Sequence, residues 1–316
     1  MTSAQSLDAI RAAPGVIRIH GHRGARGILP ENSLEGFAFT FSIGVRVVEL
    51  DVLVTADGIP VITHYPRLLP ASTRGPDANW LSDDGPLVSE CTFSHLQKFD
   101  VGGLRSDSEY GRKYPDQAFL NDVRIPRFDS LCQMVEADEL EDVWLNIEIK
   151  SDPEHPENTP QIPEYVKSIL KPIFDFGLEE RVILQSFDWR VLHECLKQAP
   201  KIPRSYLSYA PKKNAPMSVN IYEGSPWMDG LSLEEHEGCL PLVIARAGGQ
   251  VWSPFHEDLT KEDLQTARAE GLVVNVWTVN ERVDIDRMIS LGVDGIITDY
   301  PGRVQRCLLA QGLSWT

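Results

Sequence analysis

"VRVVELDVLVT" (residues 45–55) is the stretch on which the reading of the whole chain turns. It is rich in β-branched residues and has no helical period, so it reads as a strand. Side chains of a strand alternate faces, so Val48, Leu50, Val52 and Val54 share one side and Val47, Glu49, Asp51 and Leu53 the other. The first side suits packing against helices. The second sends two carboxylates, two residues apart, toward an interior. In a dry core that is prohibitive unless a cation or a metal pairs them. Two readings stand: a structural ion pair at a strand end, or a metal site.

The surrounding sequence says what kind of interior this is. "DG" at 57–58 turns the chain into "IPVITH" (59–64), a hairpin on the same strand. Short apolar runs recur at 16–20, 143–150, 181–187, 204–209, 250–254, 272–279 and 295–301. Helical patterns alternate with them at 33–44, 125–137, 163–177 (with Pro172 as a kink), 188–198, 261–271 and 281–292. The alternation predicts an α/β fold with a parallel sheet. Eight units predict a closed (β/α)8 barrel with its site on the loops at the C-terminal strand ends. A doubly wound open sheet is the alternative, but no GxGxxG loop is present. Residues 66–125 break the rhythm with Pro, Gly, Ser and Asp, and are read as an insertion after the second strand, covering the barrel mouth. The whole chain, 1–316, is read as a single domain.

A third carboxylate joins the first two. In "VWLNIEIK" (143–150), Leu145, Ile147 and Ile149 face outward while Trp144, Asn146, Glu148 and Lys150 face inward. Glu148 sits near the end of the next barrel strand and should lie beside Glu49 and Asp51. Three converging carboxylates suit a hard divalent cation, Mg²⁺ or Ca²⁺. Lys150 suits an anionic ligand, or simply an ion pair with Glu148 inside the barrel.

"HGHRGARGILPENS" (20–33) follows the first strand. His22 and Arg23 should therefore sit at the mouth, with Gly24 letting the backbone turn away. Arg23 offers a planar fork that matches phosphate. His64, past the hairpin, could lean over the mouth toward His22. Two imidazoles beside a phosphate are a natural acid–base pair, because they titrate near neutrality. Glu31 and Asn32 are read as braces of the loop. The other histidines (95, 155, 193, 236 and 256) are read as polar loop residues, with His20 in the strand.

"HRGARGILPENS", "VELDVLVTADGIPVITHYP", "LNIEIK", "VNVWTVN" and "GVDGIITDYP" occur in that order and closely resemble the glycerophosphodiester phosphodiesterase family. One departure is Tyr65, where the family commonly has Asp. The resemblance implies a TIM barrel that hydrolyses glycerophosphodiesters, such as glycerophosphocholine or glycerophosphoethanolamine, to sn-glycerol 3-phosphate and an alcohol. That would place the chain in lipid and glycerol metabolism. It implies His22 and His64 as the acid–base pair and Glu49, Asp51 and Glu148 as ligands of a divalent cation. Arg23 and Lys150 would hold phosphate. Trp277, inward on the seventh strand, would pack on the glycerol, the alternative being a core Trp. Competing readings are a lysophospholipase D or sphingomyelinase-D-like enzyme closing a cyclic phosphate, and a barrel that binds phosphorylated ligands without turning them over.

Composition narrows the partners. A net charge of -16 argues against nucleic acid as a partner and against broad anionic-membrane binding. No apolar run reaches the length of a bilayer-crossing helix, and no secretory signal is visible. Five widely spaced cysteines without a CxxC speak against disulfides or zinc and for a reduced, cytoplasmic protein. The partner expected is a small phosphodiester. The sequence sets neither the oligomeric state, the head group nor the identity of the metal.

Overall fold

A computed structural model describes residues 10–211 and 219–316. Nine strands form one sheet: β1 (Arg18–His22), β2 (Val47–Val54), β3 (Pro60–Ile62), β4 (Trp144–Ile149), β5 (Val182–Ser186), β6 (Arg204–Ser208), β7 (Val251–Pro254), β8 (Val273–Val276) and β9 (Gly295–Thr298). Their order is β1-β9-β8-β7-β6-β5-β4-β2-β3, and a further β1–β2 pairing closes eight parallel strands into a barrel. β3 lies outside that ring, antiparallel on β2. The fold is thus the (β/α)8 barrel.

The helices follow from sequence signals. α1 (Leu34–Ser42) starts where the Ser33 hydroxyl accepts from Gly36 N at 3.1 Å. It stops at Gly44, whose φ of +78° only glycine adopts at little cost. Between β3 and β4 lie α2 (Phe93–Leu96), α3 (Glu109–Lys113) and α4 (Phe128–Met134). The rest of the outer layer is α5 (Ile162–Asp175), α6 (Trp189–Gln198), α7 (Leu240–Arg246), α8 (Lys261–Ala269), α9 (Arg282–Leu291) and α10 (Pro301–Ala310). α5 continues through Pro172. The outward faces of β2 and β4 (Val48, Leu50, Val52, Leu145, Ile147 and Ile149) are fully buried beneath Phe128, Tyr165, Val166 and Ile169. Each such side chain contributes ~1.5–3 kcal/mol by leaving water, so Leu50→Ala should cost ~2–5 kcal/mol.

The barrel interior is layered. Val47, Trp144, Ile183, Val251 and Val273 form an apolar floor with Ile10. Above it His20, Asn146, Gln185, Ser205, Ser253 and Asn275 make a buried polar belt. Asn146 Nδ2 donates to Gln185 Oε1 at 3.0 Å, and Ser205 and Ser253 share a 2.8 Å bond. The rim above the belt holds the charged groups.

The structure differs from the sequence reading at two strand ends and at one histidine. β1 spans 18–22 rather than 16–20, because parallel pairing with β2 carries it past Gly21 to His22. Gly21 belongs in the strand, and the space there admits no side chain: a Cβ would meet the Gly24 carbonyl at 2.1 Å. The last strand ends at Thr298, and Pro301 opens a helix. His256 is not a solvated loop residue but is buried against Arg287.

Candidate active site

Register assembles the carboxylates. β1 pairs His22 with Glu49, and β4 pairs Glu148 with Asp51. Parallel strands in this register put side chains of equal height side by side on the inner face. One oxygen from each of Glu49, Asp51 and Glu148 then lies within 4.8 Å of the others. All three are buried. Burial and the neighbouring Asp51 and Glu148 push Glu49 well above the ordinary carboxylate range. Burial raises Glu148 too, with Lys150 pulling the other way. Burial would also raise Asp51, but His64, Arg23 and Lys150 outweigh it and hold Asp51 low. Asp51 Oδ1 is buried with no hydrogen-bond donor. Converging oxygens, one of them orphaned, fit a hard divalent cation.

Cations surround this cluster. Lys150 Nζ lies 2.6 Å from Glu148 Oε1 and 3.7 Å from Asp51 Oδ1. Arg23 Nε lies 3.2 Å from Asp51 Oδ2, and the Arg23 backbone N–H donates to Glu49 Oε2 at 3.1 Å. Arg23 has φ +50° and Asn32 φ +55°, both left-handed and costly for residues with a Cβ. That strain sits at residues that touch the carboxylates. Gly24 (φ +86°) packs so tightly that a Cβ would meet the Gly36 backbone at 2.9 Å.

Both histidines reach the cluster. His22 Nε2 is 3.7 Å from Glu49 Oε2, and His64 Nε2 is 4.0 Å from Asp51 Oδ1 and 3.2 Å from Lys150 Nζ. Burial, then Arg26, lowers the His22 pKa to about 4, and burial with Arg23 and Lys150 takes His64 well below its ordinary value. Burial and the neighbouring cations thus favour the neutral form of both rings. Their backing differs. His22 Nδ1 lies 2.6 Å from Asp299 Oδ1, whereas His64 Nδ1 is buried without a partner. Tyr65 packs edge-on against His64, with ring centroids 4.3 Å apart.

Asp299 was missed by sequence reasoning. It also receives Arg26 Nε at 2.8 Å, Asn280 Nδ2 at 2.6 Å and the Tyr114 hydroxyl at 3.3 Å. Burial would raise its pKa, but Arg26 and His22 hold it well below the ordinary range. The ionised carboxylate therefore accepts the Nδ1–H of His22, which turns Nε2 toward the cluster. The signal was present in "GVDGIITDYP" and "HRGARG", but nothing local says that residues 22 and 299 meet. Asn32 and Glu31 do more than brace their loop. Asn32 Nδ2 donates to Asp51 Oδ2 at 2.9 Å, and Glu31 pairs with Arg23 at 3.3 Å and with Tyr110.

The opposite rim is aromatic. Trp277, half-buried just past β8, sits edge-on to Phe187 at 5.3 Å and near Phe255 at 5.3 Å and Tyr209 at 6.0 Å. Its Nε1 donates to Ser253 O at 2.8 Å, which fixes the indole plane. Lys150 Nζ lies 5.9 Å from the Phe187 centroid and bridges the two sides.

A closed parallel barrel with buried carboxylates, two imidazoles and two cations at the C-terminal strand ends defines an enzyme-type mouth for a phosphorylated ligand. The sequence profile of the glycerophosphoryl diester phosphodiesterase family matches residues 22–303, and the chain belongs to that family. It is an enzyme of the glycerophosphodiester phosphodiesterase type. The crystal structure of a candidate glycerophosphoryl diester phosphodiesterase from Silicibacter pomeroyi DSS-3 is 43% identical, covers 100% of both chains and superposes with a TM-score of 0.88. A glycerophosphodiester phosphodiesterase of Caldanaerobacter subterraneus subsp. tengcongensis is 28% identical over 89% of this chain and 93% of its own. An Oleispira antarctica phosphodiesterase, solved with the product sn-glycerol-3-phosphate, shares the fold at 20% identity and a TM-score of 0.65, covering 93% of this chain and 97% of its own.

Proposed function

We propose that this chain hydrolyses small glycerophosphodiesters, such as glycerophosphocholine, to sn-glycerol 3-phosphate and an alcohol, with Mg²⁺ or Ca²⁺ bound by Glu49, Asp51 and Glu148. The observation that carries the reading is the convergence of those three carboxylates within 4.8 Å, with an imidazole nitrogen of His22 3.7 Å from Glu49 and one of His64 4.0 Å from Asp51. The Oleispira phosphodiesterase holds the product this reaction would release. A bound cation would supply charge opposite the phosphoryl oxygens. Arg23 and Lys150 offset the charge of the diester and of its transition state. One imidazole takes the proton of the nucleophile through its Nε2, and the other, protonated once the anionic diester lies beside it, gives that proton to the departing alkoxide. Asp299 steadies His22 when that ring becomes charged. Trp277 and Phe187 offer flat apolar faces to the glycerol carbons. The segment 66–125 is the cover of this mouth, within a single domain.

We place the reaction in the cytoplasm, as part of lipid and glycerol metabolism. All five cysteines are free thiols, in keeping with a reducing compartment. No helix among the described residues is long and apolar enough to cross a membrane. The test is release of sn-glycerol 3-phosphate from glycerophosphocholine, with lysophosphatidylcholine as the competing substrate. Excess EDTA should abolish turnover, and added Mg²⁺ or Ca²⁺ should restore it. Full activity in EDTA, with no metal found by mass spectrometry, would sink the carboxylate site. Faster turnover of the lysolipid would favour the lysophospholipase D reading.

A further inference from the structure

The 66–125 segment does more than lie across the mouth. Its helix α3 is only five residues long, capped by Ser108 Oγ accepting from Gly111 N at 2.9 Å. Gly111 is pressed so close to the preceding turn that a Cβ would meet Arg105 O at 2.1 Å. From this pinned turn two tyrosines four residues apart reach down to the rim. The Tyr110 hydroxyl bonds Glu31, with Arg26 Nη1 at 3.2 Å and Arg23 Nη1 at 3.5 Å. Its ring is also edge-on to Tyr65, which in turn packs on His64. Tyr114, buried, donates to Asp299 Oδ2 at 3.3 Å, and its ring lies 4.6 Å from the Arg26 guanidinium. The segment is fastened beside them by Gln117 Nε2 to Arg26 O at 2.7 Å and Ala118 N to Ile28 O at 2.8 Å.

We propose that Tyr110 and Tyr114 are positioning residues of the active site, through which the segment holds Arg23 and the backing of both imidazoles in place. This rests on the roles given above to Arg23, His22 and His64. One short helix and the residue that ends it thus reach a support of each imidazole: Tyr114 through Asp299 to His22, and Tyr110 through Tyr65 to His64. Tyr110 also caps the Glu31 carboxylate, the residue that competes with a phosphate for the Arg23 guanidinium. Without the phenol, Glu31 keeps a firmer hold on Arg23.

The test is Tyr110→Phe and Tyr114→Phe in the full chain, assayed with glycerophosphocholine and Mg²⁺. Loss of one hydrogen bond to a charged group predicts a KM rise of about 10- to 100-fold for Tyr110→Phe with kcat within about 2-fold. Tyr114→Phe, which leaves Asp299 its other donors, should lower kcat by about 2- to 5-fold with KM unchanged. Both melting temperatures should stay near wild type. A separate readout needs no turnover: calorimetric binding of inorganic phosphate should be weaker in Tyr110→Phe than in wild type. Wild-type KM, kcat and phosphate affinity in the variants overturn the proposal, as does a parallel fall in melting temperature and kcat with no change in KM. A wild type that binds phosphate but does not hydrolyse the diester, alongside weaker phosphate binding by Tyr110→Phe, would instead defeat the assigned reaction and leave the positioning role intact. If the wild type does not bind phosphate, both fall.

Discussion

The two halves of the barrel mouth are built from different chemistry. β1, β2 and β4 carry His22, Glu49, Asp51 and Glu148, with Lys150 just past β4, while the rim from β5 to β8 carries Phe187, Tyr209, Phe255 and Trp277. The charged half is strained and over-connected. Two non-glycine residues there have positive φ, and one carboxylate, Asp299, takes four side-chain partners. The aromatic half is held by edge-on ring packing and one indole hydrogen bond. A phosphodiester has the same division, a charged centre flanked by carbon. Under the proposed reaction, the reacting group and its flanks would be handled by opposite walls, with Lys150 at the seam.

Breaking the charged half should have the largest effect. His22→Ala and His64→Ala should each lower kcat by about 10²–10⁴-fold with native circular dichroism, since each removes a proton carrier. Wild-type kcat in either would end the pairing. Asp299→Asn should cost about 10–100-fold in kcat while leaving substrate KM near wild type. An amide can present its N–H to Nδ1 and favour the wrong tautomer, so the NMR signature of the His22 ring should shift with the loss of rate.

The aromatic half should prove softer. Trp277→Ala should raise KM about 3- to 10-fold, as expected for one lost aromatic contact of ~0.5–1.5 kcal/mol, and change kcat less than either histidine variant does. A kcat loss equal to theirs would erase the contrast between the halves.

The smallest effect lies in the belt beneath both. Burial, then Arg18, lowers the His20 pKa from 6.5 to about 3. The folded form therefore binds fewer protons than the unfolded chain below pH 6.5, so stability is full above that value and is lost as pH falls toward 3. Between pH 7 and about 5.5, where ordinary carboxylates hardly titrate, His20 should contribute ~1 kcal/mol of lost stability, beside the losses from the buried His22 and His64. Thermal melts of His20→Gln should be flatter over that window. An unchanged slope would remove His20 from the account.

Much of the charged half was legible because a strand has period two. The alternation in 45–55 and 143–150 sorted Glu49, Asp51, Glu148 and Lys150 to one face before any contact was known. His64 followed from the DG turn, and Arg23 from its place after the first strand. Asn32, Asp299, Tyr110 and Tyr114 escaped. Each acts across a gap in sequence, as in the 277 residues that separate His22 from Asp299. The limits of β1 escaped as well, because Gly21 is held in the strand by pairing with both β2 and β9.

The sequence by itself determined the alternation of strand and helix, the inward face of each strand and the kinds of group on it. These depend on local backbone geometry and on which side chains leave water. Only the tertiary structure decided which inward groups meet. Closing β9 onto β1 brings Asp299 behind His22, and docking the 66–125 segment sets two tyrosines over the rim. The reason is physical: a hydrogen bond or an ion pair depends on distances of a few ångströms, and those are set by barrel register and loop docking, which no local run of residues specifies.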